Sequence, residues 1–142
     1  MRVLLIRHAR AGNRSAWEGD DLLRPLDRRG RRQAGGLPDQ LGEYPIDRLL
    51  SSSYVRCVET LEPLAERLNL PIDVRPELAE GSSAADVIAL LAESNTQLPA
   101  LCTHGDVVGE LLGEGSAKGS TWVLELTGSG ELRRERYFPP TA

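Results

Sequence analysis

Apolar residues along this chain come in short runs that stop abruptly at charge. Residues 2–7 carry Val3, Leu4, Leu5 and Ile6 in succession before Arg7 and His8, the pattern of a strand buried on both faces. Similar runs predict further strands at about 47–51, 72–75 and 99–103. Between them the apolar spacing changes to threes and fours. Val58, Leu61, Ala65 and Leu68 predict one helix, and Ala84, Val87, Ile88 and Leu91 another, each with a single apolar stripe. Ser83 with Asp86 has the form of a capping box opening the second of these. A further helix is expected after Asp106, turning Val107, Val108, Leu111 and Leu112 inward.

Segment 27–42 has helical spacing through Ala34, Leu37 and Leu41, weakened by Gly30, Gly35, Gly36 and Pro38, residues that disfavour a helix interior. Residues 121–126 and 132–137 flank Gly128-Ser129-Gly130, a hairpin signal. Residues 10–25, around Trp17, read as a long loop. Strands alternating with helices need right-handed crossovers, so the expected fold class is α/β. In it a three-layer α/β/α arrangement holds a mostly parallel sheet with a C-terminal antiparallel hairpin. A chain of 142 residues buries roughly two-thirds of its unfolded surface, and a single domain over 1–142 is expected.

The formal net charge of −4 argues against a nucleic-acid binder, which needs a basic surface for phosphate contacts. The first apolar run is too short for a signal peptide or a membrane span. The two cysteines, Cys57 and Cys102, lack the close spacing of zinc or redox motifs and read as buried thiols. A cytoplasmic protein with no metal and no cofactor is therefore expected. Locally the charge is otherwise. Arg24, Arg28, Arg29, Arg31 and Arg32 form a dense basic segment, either a solvated helix face or a landing surface for an acidic or phosphorylated partner.

Candidate chemistry gathers where strands end. In open α/β sheets ligands bind beyond the carboxyl ends of the strands. Arg7 and His8 stand at such an end, and so does His104 in Thr103-His104-Gly105-Asp106; these are the chain's two histidines. The third piece is Ser51-Ser52-Ser53-Tyr54-Val55-Arg56-Cys57-Val58-Glu59-Thr60, where Arg56 falls in the first turn of a helix. A cation is disfavoured there unless an anion accompanies it. The alternative is an exposed arginine with its head in water.

Arg7-His8, the block Ser51-Ser52-x-x-x-Arg56-x-x-x-Thr60 and His104-Gly105 together resemble the histidine phosphatase, or phosphoglycerate-mutase-like, superfamily. The match runs in the family's order over nearly the whole chain. Leu26-Asp27-x-x-Gly30-x-x-Gln33-Ala34 is similar to the segment after the family's first loop. The resemblance implies that His8 attacks phosphorus in line and forms a phosphohistidine that water hydrolyses. Arg7, Arg56 and His104 would hold the phosphoryl oxygens, whose charge in the transition state is met by fixed cations and donors. It also implies a carboxyl group for the leaving oxygen, from Leu78-Ala79-Glu80, with Glu77 as the alternative to Glu80.

Where the family often reads Arg-His-Gly-Glu, this chain reads Arg7-His8-Ala9-Arg10. That disfavours a phosphoglycerate-type mutase and resembles the small SixA-type phosphohistidine phosphatases. Gly19-Asp20-Asp21, Arg24-Pro25-Leu26-Asp27 and 118–124 resemble instead the histidine-phosphatase domain fused behind the Nudix domain of some MutT-type hydrolases, making a Nudix-type partner domain an alternative setting. The short stretch between Glu80 and His104 leaves no room for a lid. An open, arginine-rimmed site suits a phosphate-bearing substrate such as protein phosphohistidine or a nucleotide phosphate. A non-catalytic phosphate-binding regulatory module is the competing reading.

Smaller signals remain. Lys118 is the only lysine; its glycine-rich surroundings have the wrong order for a P-loop and read as a connector from which Lys118 reaches a substrate phosphate. Asn13 and Arg14, just past the nucleophile, are candidate phosphate contacts. Trp17 and Trp122 stack on a base or anchor the core.

Overall fold

The computed structural model describes residues 1–142. Its strands are β1 (Arg2–Arg7), β2 (Arg48–Ser51), β3 (Ile72–Val74), β4 (Pro99–Thr103), β5 (Thr121–Leu126) and β6 (Leu132–Phe138). Its helices are α1 (Arg28–Leu41), α2 (Val55–Leu68), α3 (Ala84–Glu93) and α4 (Gly105–Leu112). One six-stranded sheet has the order β3-β2-β4-β1-β5-β6. β1, β2, β3 and β4 are mutually parallel, and β5 and β6 complete the sheet antiparallel.

Alternation along the strands builds two cores, because successive side chains leave opposite faces of a sheet. Leu4 and Ile6 of β1, Leu49 of β2, and Ala100 and Cys102 of β4 meet Leu37 and Leu41 of α1 and Leu61 and Leu64 of α2. Val3, Leu5, Leu50 and Leu101 meet Val87, Leu90 and Leu91 of α3 and Val107 and Val108 of α4. The three-layer α/β/α arrangement with its C-terminal hairpin follows from that division.

The differences from expectation lie at element ends. β2 starts at Arg48 because Asp47 turns away to cap the 96–98 loop, accepting from the Gln97 and Leu98 amides at 2.9 and 3.0 Å. β3 stops at Val74, before a 3₁₀ turn at Pro76–Leu78. α4 starts at Gly105, one residue ahead of Asp106. The 10–25 loop is not featureless. It carries 3₁₀ turns at Arg14–Ala16 and Asp21–Leu23, capped by the side chains of Asn13 and Asp20. No helix is long and apolar enough to cross a membrane.

α1 runs unbroken over 28–41 despite its glycines and Pro38. A glycine costs a helix interior about 1 kcal/mol and a proline about 3 kcal/mol; burial of the whole inner face, Leu37 and Leu41 with Gln33, Ala34 and Pro38, offsets this. Asp27 caps the helix by accepting from the Gly30 amide at 2.8 Å. Gly30 is needed for space: a Cβ there would lie 1.8 Å from the Arg10 carbonyl oxygen. At Gly35 a Cβ would meet nothing within 4 Å. These two positions should respond oppositely to alanine. Gly30→Ala should destabilise by about 1–3 kcal/mol through overpacking, and Gly35→Ala should stabilise by up to about 1 kcal/mol through helix propensity, both read from urea unfolding midpoints.

Candidate active site

β1 and β4 are adjacent and parallel, with Arg7 in register with Thr103. The residue after each strand is a histidine, so the pairing that closes the sheet also brings the rings together, their centroids 5.3 Å apart at 67°. The His8 amide continues the ladder by donating to the Thr103 carbonyl at 3.0 Å.

His8 is held in one tautomer. Its Nδ1 lies 2.7 Å from the Ala9 carbonyl oxygen, a group that only accepts, so Nδ1 carries the proton and Nε2 the free lone pair. The ring is 6% exposed. Burial pushes its pKa down to about 3; the Ala9 carbonyl opposes this, while the nearby charges of His104, Arg56 and Arg7 reinforce it. A neutral imidazole with an available Nε2 is the form a nucleophile needs.

Ser52 follows β2, and its hydroxyl lies 2.8 Å from His104 Nε2. Cys57 Sγ is 3.6 Å from the same nitrogen, and the Tyr54 ring stands edge-on to the imidazole, centroids 4.7 Å apart. That leaves His104 Nδ1 buried without a partner. Arg56 is fully buried in the first turn of α2. Its Nη1 donates to the Asp21 carbonyl at 2.9 Å and its Nη2 to the Asp21 and Glu80 carboxylates at 3.1 and 3.2 Å. Its Nε has no partner, and the guanidinium lies over Tyr54, 4.7 Å from the ring centre. Arg7 reaches along α4 to donate to the Ser116 carbonyl. Gly105 permits this path, since a Cβ there would come 2.7 Å from Arg7 Cζ.

Thr60 ties these parts together. Its hydroxyl accepts from the Ala9 amide at 3.0 Å and donates to the Arg56 carbonyl at 2.6 Å.

Of the residues singled out in the sequence, Arg7, His8, Arg56, His104 and Glu80 converge at these strand ends. The two carboxylate alternatives separate. Glu80 grips Arg56 and, at 2.7 Å, Arg14, whereas Glu77 pairs with Arg75 at 2.9 Å. Asn13, Arg14 and Lys118 line a cavity with Arg7 and His8, although the Asn13 carbonyl oxygen is engaged in capping its own turn. Arg28, Arg29, Arg31 and Arg32 are exposed on α1. Arg24 parts from that basic run: it is buried, donates to Asp21 at 2.9 Å and to the Ala11 carbonyl at 3.0 Å, and faces the cavity. Trp122 packs against Tyr137 in the hairpin, and Trp17 donates to the Asp20 carbonyl on the outer loop. Cys57 and Cys102 are buried and free.

The sequence marks Asp21 only within Gly19-Asp20-Asp21, with no role at the site. It lies in a segment read as loop, with no periodicity to mark it, yet it joins Arg56, Arg24 and Arg14. Burial alone would raise its pKa, but the hydrogen bond from Arg24 and the charges of Arg56, Arg24 and Arg14 hold it below the ordinary carboxylate range. No group of three or more His, Cys, Asp or Glu side chains is arranged to hold a metal ion. The arrangement is a neutral imidazole nitrogen set among guanidinium and imidazole donors, suited to attack on an electrophile that itself carries negative charge.

The comparisons with known proteins agree with this geometry. The family model of the histidine phosphatase superfamily (branch 1) matches residues 3–86. An 8-oxo-(d)GTP phosphatase of Mycolicibacterium smegmatis is 40% identical over 155 aligned positions, covering 97% of this chain and 48% of the relative. This chain thus spans about half the length of that curated relative. Among solved structures, the protein histidine phosphatase SixA complexed with tungstate has a TM-score of 0.78 at 29% identity, covering 99% of this chain and 97% of that one. The alpha-ribazole phosphatase from Shigella flexneri has a TM-score of 0.75 over 95% of each chain, and at 17% identity that likeness concerns the fold alone.

The state of His8 is directly measurable, because the chain has only two histidines. With its pKa near 3, the His8 Cε1–H resonance should not titrate between pH 5 and 8; a midpoint near 6.5 would show that the burial argument is wrong. Between the unfolded value of about 6.5 and about 3 the unfolded chain binds the extra proton. The His8 contribution therefore makes stability fall as pH drops through that window and leaves it level above.

Proposed function

The chain belongs to the histidine phosphatase superfamily, and on that premise we propose that it is a phosphatase working through a covalent phosphohistidine on His8. The observation that carries this is the locked tautomer: with Nδ1–H held by Ala9, Nε2 is the nitrogen that bonds phosphorus. As the Nε2–P bond forms, the bond from phosphorus to the leaving oxygen breaks and takes its electron pair to that oxygen. Water then attacks the phosphohistidine, the P–N bond returns its pair to Nε2, and inorganic phosphate is released. Arg7, Arg56 and His104 hold the transferring oxygens, with Asn13, Arg14 and Lys118 as outer substrate contacts. These groups supply the positive charge that a phosphoryl transition state requires, so the step is metal-independent.

Arg56 meets Asp21 and Glu80 where phosphate would sit. An arriving phosphoryl group replaces them on the guanidinium; Glu80, freed from Arg56, takes a proton from solvent and passes it to the leaving alkoxide. Substrate class follows from the lining of the cavity, which contains no hydrophobic residue, and from the two kinds of relative. Protein phosphohistidine is supported by the SixA likeness, and a nucleotide phosphate by the 8-oxo-(d)GTP phosphatase. That relative's greater length leaves room for a further domain, and the sequence resemblance makes a Nudix-type partner the candidate.

Wild-type protein should turn over an activated aryl phosphate and accumulate an acid-labile phosphoenzyme, both unaffected by EDTA. His8→Ala should lose activity by a factor on the order of 10³ or more while unfolding at a similar temperature. Comparable rates in the variant would remove His8 as nucleophile, and retained phosphate binding without wild-type turnover would leave a regulatory module. Glu80→Gln should slow alkyl phosphates by about 10²-fold and aryl phosphates much less; equal slowing would place the acid elsewhere.

A further inference from the structure

The cavity beside His8 holds more positive charge than one phosphoryl group needs. It has a volume of about 500 Å³ and is lined by Arg7, Arg10, Arg14, Arg24 and Lys118 around the nucleophile, with no hydrophobic side chain. That volume lies within the range of roughly 300–1,000 Å³ found for small-molecule sites. Arg56, His104 and Glu80 stand outside this lining, so the cavity leads from His8 toward a second set of cations, Arg10, Arg24 and Lys118.

Two of these cations are mounted on fixed backbone. The Arg10 amide donates to Gln33 Oε1 at 3.0 Å, its carbonyl accepts from the Asp27 amide at 3.0 Å, and Gly30 packs against it without room for a Cβ. Lys118 precedes Gly119, whose amide donates to the Arg7 and His8 carbonyls at 3.1 Å each. Gly119 has φ +83°, and a Cβ there would press on Gln33 at 3.0 Å. The connector carrying Lys118 is thereby stapled to the nucleophile's own strand end.

The charges themselves are under-neutralised. Lys118 has no carboxylate within ion-pairing distance; burial and the fields of Arg7, Arg24 and Arg10 lower its pKa, with Asp27 offsetting only in part. Arg24 uses Nε on Asp21 and Nη1 on the Ala11 carbonyl, leaving Nη2 without a protein partner. Arg10 has a single acidic neighbour, Asp27 at 3.3 Å.

We propose that Arg10, Arg24 and Lys118 form a second phosphate subsite, so that the enzyme removes the terminal phosphoryl group from a substrate bearing two phosphates in series. This rests on the phosphatase reading above. His8 Nε2 bonds the terminal phosphorus while the bond to the bridging oxygen breaks, and the electron pair leaves with the inner phosphate. Water then hydrolyses the phosphohistidine, giving inorganic phosphate and the shortened substrate. A departing phosphate is far less basic than an alkoxide and needs charge neutralisation rather than a proton. The three cations supply it. A lone phosphohistidine would leave Lys118 without a counter-anion and Arg10 with Asp27 alone.

The test compares kcat/KM for a nucleoside diphosphate, inorganic diphosphate, an aryl monophosphate and a phosphohistidine-bearing protein, using wild type, Lys118→Ala, Arg10→Ala and His8→Ala. In each cation variant the diphosphate-to-monophosphate ratio should fall about tenfold, the loss of one charge-assisted contact, and mainly through KM. The two diphosphates distinguish an organic from an inorganic source, and a ratio that falls with either supports the subsite. Ratios unchanged in both variants would overturn it, as would a wild-type preference for the phosphohistidine protein over every diphosphate. Monophosphate turnover with unchanged ratios removes the subsite alone, whereas absence of His8-dependent turnover on all four substrates removes the phosphatase reading and the subsite with it.

Discussion

A buried guanidinium must have its counter-charge, and the site is organised around that demand. Arg56 is wholly inaccessible and lies in the first turn of α2, where the helix dipole repels a cation. Leaving such a charge unpaired would cost several kcal/mol. Asp21 and Glu80 answer it from two distant stretches of chain, and each brings its surroundings along. Asp21 draws the loop after the nucleophile inward, and Arg24 and Arg14 come with it; Glu80 brings the segment that follows β3. The shape of the site is the shape of that charge balance.

The same balance leaves Arg56 paired yet open to exchange. Carboxylates and phosphate present similar oxygens to a guanidinium, so a phosphoryl group can take the positions of Asp21 and Glu80 without leaving Arg56 unpaired. The exchange favours ligands with more negative charge than the two groups they displace.

How far this could be read from sequence depended on whether a signal was local. The apolar runs ending at Arg7-His8 and at Thr103-His104 marked both strands and both histidines, since a parallel sheet buried on two faces writes itself as uninterrupted hydrophobicity. The position of Arg56 was evident because a serine-rich turn opens a periodic helix. α1 was blurred because Gly30 answers to the backbone of Arg10, a contact no window of sequence contains. The Leu78-Ala79-Glu80 spacing favoured Glu80 over Glu77, and their partners differ in the same sense, Arg56 and Arg14 against Arg75. Asp21 and the inward turn of Arg24 were hidden for a similar reason: a loop residue that serves a distant charge leaves no periodic trace.

Thr60 gives the site a mechanical character. One hydroxyl joins the peptide after the nucleophile to the peptide of Arg56, and its helix is anchored in the core through Leu61 and Leu64. His8 and Arg56 are therefore tied to one element, and their alignment is inherited from how firmly α2 seats against the sheet. Because α2 is seated in the core, His8 and Arg56 lose their alignment together, and only as the core itself opens.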